Sequence, residues 1–159
     1  MGNRRMTTEE YLNLAHEYAL KFSGCTKVKV GSIITSSNGS IIAFGANAAI
    51  PDLCRYRGCL RIEKYGDNAK AHRLPSDCRA LHSEIDAICH VSGTCNAPKV
   101  IYVTRYPCEA CARAIVAAGI LRVVYGRSES ISEETVRIFE SANVEVVHAW
   151  SWTAEDNNT

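Results

Sequence analysis

The sequence predicts an α/β domain in which a mixed sheet of five strands lies between helices, a three-layer α/β/α arrangement. Three observations predict it. Near the front, Thr7 and Glu10 form a T-x-x-E capping box ahead of an apolar stripe with helical period. Two β-rich runs then flank an Asn-Gly pair, the turn chemistry of an antiparallel hairpin. In the second half, strand-like and helix-like segments alternate, which requires parallel pairing through crossovers.

In the first helix, Tyr11, Leu14, Ala15, Tyr18, Ala19 and Phe22 recur at spacings of three and four and are expected in the core. Residues 28–34 and 40–44 are the hairpin strands, joined through Asn38-Gly39. Residues 51–78 are polar, show no sustained period and read as a long irregular loop, which in a compact domain is usually functional or tied down by something besides packing. Residues 81–91 read as a short helix and 100–104 as a buried strand. Pro107 is expected in the first turn of a helix over 108–118, which Gly119 ends. Residues 121–125 form the next strand, 132–142 an amphipathic helix using Val136, Ile138 and Phe139, and 144–148 the last strand. Residues 150–159 read as a short tail, so that 1–159 make one domain.

Lys and Arg number 18 against 17 Asp and Glu, a net charge of +1, which argues against a broad basic surface for gripping nucleic acid. No apolar run approaches the roughly 20 residues of a membrane span. The amino terminus enters a polar helix start without an apolar leader, so a cytoplasmic location is expected. Eight cysteines in a reducing compartment point to metal ligation, catalysis or simple burial rather than disulfides.

Two segments carry the chemistry: His82-Ser83-Glu84 and Pro107-Cys108-Glu109-Ala110-Cys111. Cys108 and Cys111, three apart at a helix start, can turn both thiolates the same way, and a helix amino terminus favours their charge. With His82 they supply three ligands to Zn²⁺ and leave one tetrahedral position open for water, the mark of a catalytic site. Glu84, two residues from His82, stays close without ligating. It is placed to take a proton from water, pass it to a ring nitrogen and protonate a departing amine. A lone P-C-x-x-C is often a structural zinc knuckle or a redox pair. Its combination with H-x-E is the pattern of zinc-dependent nucleobase deaminases.

From about Tyr11 to Val124 the chain resembles the deoxycytidylate (dCMP) deaminase family of the cytidine deaminase-like superfamily. The likeness lies in Cys25, Lys27 to Gly31, Gly45-Ala46-Asn47-Ala48, Thr104 to Cys108 and Ala117 to Ile120. Ala46, Ala48 and Ser83 depart from the family's usual Tyr, Gly and Ala. The resemblance implies hydrolysis of dCMP to dUMP, with Asn47 holding the sugar or phosphate. It further implies a homo-oligomer, a hexamer or dimer, activated by dCTP and inhibited by dTTP. Cys54, Cys59, His72 and Cys78 follow the order of a Cys3His set found in many members and imply a second, structural zinc that pins the 51–78 loop. Lys27, Lys29 and Arg105 are candidates for a substrate phosphate, Arg105 because its fork suits bidentate contact. Cys25, Cys89, Cys95, His16, His90 and His148 are assigned to packing or surface.

Three functions compete on this reading. They are dCMP deamination, deamination of another substrate such as dCTP, cytidine, a purine or a single-stranded nucleic acid, and a non-enzymatic zinc scaffold. An oligonucleotide deaminase needs a backbone-tracking groove with aromatic platforms. A scaffold needs a closed zinc site.

Overall fold

The computed structural model describes residues 4–49, 53–70, 77–92 and 97–149. Along the chain run α1 (Thr8–Phe22), β1 (Gly31–Ser36), β2 (Ile41–Ala46), α2 (Leu53–Arg57), α3 (Leu60–Tyr65), a 3₁₀ turn (Gly66–Lys70), α4 (Ser83–Cys89), β3 (Lys99–Arg105), α5 (Glu109–Ala117), β4 (Ile120–Arg127), α6 (Glu133–Ser141) and β5 (Glu145–His148). The five strands form one mixed sheet in the order β2-β1-β3-β4-β5. β1 pairs antiparallel with β2 and β3, while β3, β4 and β5 are parallel.

Strand alternation splits the core into two layers. Ile33, Tyr102 and Val124 face α1, where Tyr11, Leu12 and Ala15 meet them. Ile34, Ile101, Val103 and Val123 face the other way, against Ala87 of α4, Ala112 and Ile115 of α5 and Phe139 of α6. Each buried aliphatic side chain contributes roughly 1.5–3 kcal/mol, so both faces matter to stability. The expected three-layer architecture is thus present.

Local chemistry explains most element ends. Thr7 caps α1 as read from the sequence, accepting from Glu10 N at 3.2 Å while Glu10 Oε2 accepts from Thr7 N at 2.7 Å. Tyr11 then donates to Gly39 O at 2.6 Å, tying the helix to the hairpin turn. Tyr11, Ala15 and Ala19 of the stripe are buried, and so is Leu12, which the stripe did not include, while Phe22 in the last turn is exposed. Residues 28–30 lie outside β1. Pro107 sits one residue before the cap rather than in the first turn, since Cys108 has extended backbone and is itself the N-cap of α5. In α6 Thr135 and Phe139 are buried and Val136 is exposed, so the apolar face is narrower than expected.

The 51–78 loop holds more order than its composition suggests, in α2, α3 and the 3₁₀ turn. Its end is clamped at Asp77, whose carboxylate accepts from Lys64 Nζ and Tyr65 Oη, each at 2.8 Å. Those two donors, Lys64 first, hold the Asp77 carboxyl below its ordinary range.

Candidate active site

The site lies where the amino-terminal ends of α4 and α5 meet. His82 caps α4 and Cys108 caps α5, so two helix starts bring ligands from distant parts of the chain to one point. His82 Nδ1 stands 3.5 Å from Cys108 Sγ and 3.4 Å from Cys111 Sγ. Around one tetrahedral zinc, a nitrogen and a sulfur ligand at their usual bond lengths lie about 3.5 Å apart. The donor set therefore fits Zn²⁺ in both chemistry and spacing. Among the described residues this is the group of possible ligands that gathers within 4.8 Å.

The three groups hold their protons jointly. Hydrogen bonds to Cys108 and then Cys78 push the His82 imidazole up to about 10. The Cys108 thiol is pulled down to about 3, chiefly by the hydrogen bond from Cys111 and further by His82. Cys111, donating to Cys108 and buried, is pushed up. A divalent cation displaces such protons when it binds, because thiolates and neutral imidazole are its ligands.

Glu84 is 4% exposed, in the first turn of α4. Burial, chiefly, pushes its carboxyl up from the ordinary range. Its carboxylate lies within hydrogen-bond reach of Cys111, and its Oε2 accepts from Ser83 Oγ at 3.2 Å. Glu84 thus borders the ligand cluster without belonging to it.

Close contact between β2 and α4 sets this placement. Gly45 leaves no room for a methyl group, which would overlap the Ser83 carbonyl and the Ala87 amide. Asp86 Oδ2 accepts from Ala46 N at 3.0 Å, and Ala48 N donates to Leu81 O at 2.9 Å. Sequence reasoning missed Asp86; its signal was an acidic residue on the inward face of a short helix.

The other candidates have protein partners. Asn47 Oδ1 accepts from Ser23 Oγ at 2.7 Å and Val30 N at 2.8 Å, and its Nδ2 donates to Val28 O at 2.8 Å. Asn47 braces the segment between α1 and β1. Lys29 Nζ donates to Ser23 O at 2.9 Å, and Arg105 pairs with Glu129 at 2.7 Å. Cys54, Cys59 and Cys78 are partly buried and outside any disulfide, and among the described residues they do not form a second ligand group; His72, like Cys95, lies outside the described residues. Cys78 is instead joined to the His82 ring. Among the described residues no helix is long and apolar enough to cross a membrane.

Residues 5–127 match the cytidine and deoxycytidylate deaminase zinc-binding region. ComE operon protein 2 of Bacillus subtilis is 31% identical over 140 residues, covering 86% of this chain and 67% of the relative. The deoxycytidylate deaminase of Saccharomyces cerevisiae is 29% identical over 154 residues, 95% of this chain and 47% of that protein. The chain thus spans about half the length of the yeast relative. Among solved structures, the dCMP deaminase of cyanophage S-TIM5 in complex with dCMP and dUMP superposes with a TM-score of 0.68, covering 91% of this chain and 100% of that one at 24% identity. That likeness concerns the fold.

Proposed function

This chain belongs to the cytidine and deoxycytidylate deaminases, and from that premise we propose that it hydrolyses dCMP to dUMP and ammonia, a step of pyrimidine deoxynucleotide synthesis. The observation that carries the reading is the convergence of His82, Cys108 and Cys111 beside a buried Glu84 that stays outside the ligand set.

His82, Cys108 and Cys111 would hold the zinc, whose Lewis acidity makes water ionisable near neutral pH. The chain's own residues do the rest. Glu84 takes a proton from the attacking water and delivers it to N3 of the cytosine ring; it then takes the second proton from the new C4 hydroxyl, which becomes the carbonyl, and gives it to the amine as the C4–N bond breaks. Oxygen from water replaces nitrogen at C4, so one water is consumed for each ammonia released. Burial around Glu84 keeps bulk solvent from competing for that proton. Asn47, whose Oδ1 already accepts from Ser23 and Val30, offers the sugar or phosphate at most its second amide hydrogen. Lys29 and Arg105 serve the phosphate once it displaces Ser23 O and Glu129 as their partners.

The finer parts of the reading are a second, structural zinc on Cys54, Cys59, His72 and Cys78, a homo-oligomeric assembly, dCTP and dTTP as effectors, and a cytoplasmic setting. The order of Cys and His in the 51–78 segment supports the second zinc.

A substrate panel tests the main proposal: dCMP, dCTP, cytidine, guanine and a cytosine-containing oligonucleotide, with ammonia release as readout. Fastest release from dCMP is expected. Release from the oligonucleotide alone would contradict the proposal, as would a zinc-loaded protein inert towards every compound.

A further inference from the structure

Ser32 on β1 and Ser83 in the first turn of α4 are both fully buried, and their hydroxyl oxygens lie 2.7 Å apart. Ser83 also donates to Glu84 Oε2 at 3.2 Å. A hydroxyl carries one proton. If that of Ser83 goes to Glu84, the bond between the two serines runs from Ser32 to Ser83. The result is a directed chain, Ser32 to Ser83 to Glu84 Oε2, across the interface of β1 and α4. The contact around it is built from small residues such as Gly45 and Ala87. Alanine at both positions would fit there, so packing alone does not require two hydroxyls at this point.

We propose that Ser83, backed by Ser32, is a positioning residue for the catalytic carboxylate. The pair occupies Oε2 and fixes the carboxylate plane, reserving Oε1 for the proton that travels between water and the cytosine ring. Ser32 acts only through Ser83, because it touches no reacting group. This inference rests on the deaminase reading and adds to it two residues outside the His82, Glu84, Cys108 and Cys111 set.

The experiment compares Ser83→Ala, Ser32→Ala and the double variant in the full chain. Zinc content, melting temperature, and kcat and KM for dCMP are measured for each. Zinc content stays at the wild-type value, each single variant lowers the melting temperature by several degrees at most because it leaves a buried hydroxyl unpaired, and KM changes less than about twofold. In Ser83→Ala kcat falls about tenfold, the loss that accompanies one misplaced hydrogen bond to a charged group. Ser32→Ala falls by a smaller factor, and the double variant is no slower than Ser83→Ala, as a relay demands. A Ser83→Ala enzyme with kcat within about twofold of wild type overturns the proposal, and so do single losses that multiply in the double variant. If Ser83→Ala fails to retain zinc, Ser32→Ala decides: a lowered kcat with zinc intact supports the relay, and an unchanged kcat overturns it. A wild type inert towards dCMP contradicts the substrate assignment instead, and the same ratios are then read on the panel compound that it does turn over. Inertness towards the whole panel overturns both.

Discussion

A carboxylate two residues beyond a metal-ligating histidine has two fates: it binds the ion, or it stays off it and carries protons. On the proposed reading Glu84 takes the second course: α4 begins at Ser83, which leaves Glu84 buried in the first turn while His82 remains outside as the cap. Replacing Glu84 by glutamine keeps shape and polarity but removes the proton carrier. Glu84→Gln is expected to retain zinc and melting temperature and to lose about 10²- to 10⁴-fold in kcat, measured by ammonia release. Near wild-type turnover would show that another group moves the proton. The gathering of His82, Cys108 and Cys111 with Glu84 beside them was legible in the sequence because the chemistry proposed for them demands fixed residue types at fixed spacing. Asn47, Lys29 and Arg105 were legible only as types. Their protein partners Ser23, Val28, Val30 and Glu129 are separated from them along the chain, and no pattern in the sequence links them.

Between elements, the decisive contact is that of β2 with α4, closed by Gly45 and clamped by Asp86 on the Ala46 amide. An added methyl would meet backbone atoms, which cannot rotate away as a side chain could. Gly45→Ala should therefore displace α4, cost roughly 1–3 kcal/mol of stability, and lower kcat together with melting temperature. A stable, fully active Gly45→Ala protein would mean that α4 has slack there. The helices with a long period or a cap were readable, as α1 shows through Thr7 and Glu10. α2 and α3 were not, because 5 and 6 residues are too few to display a period and tertiary clamps such as Asp77 hold this region. The start of α5 was misjudged by one residue: Cys108 takes the cap with extended backbone, which turns its thiol towards His82.

Across the whole molecule, the sheet order places β3 in the centre, with the antiparallel hairpin on one side and the parallel pair on the other. The alternating pattern of the second half foretold the parallel pairing of β3, β4 and β5 through crossover helices, though not the strand order. α4 and α5 pack on one face, and that shared face is why ligands 26 and 29 residues from His82 meet it. Anomalous scattering at the zinc absorption edge, from crystals grown with dCMP, examines this arrangement most directly. One peak bonded to His82 Nδ1, Cys108 Sγ and Cys111 Sγ at about 2.0–2.3 Å, with Glu84 outside bonding distance and beside the cytosine ring, is the expected result. A peak that includes Glu84 as a fourth ligand, or the absence of any peak there, would contradict the account.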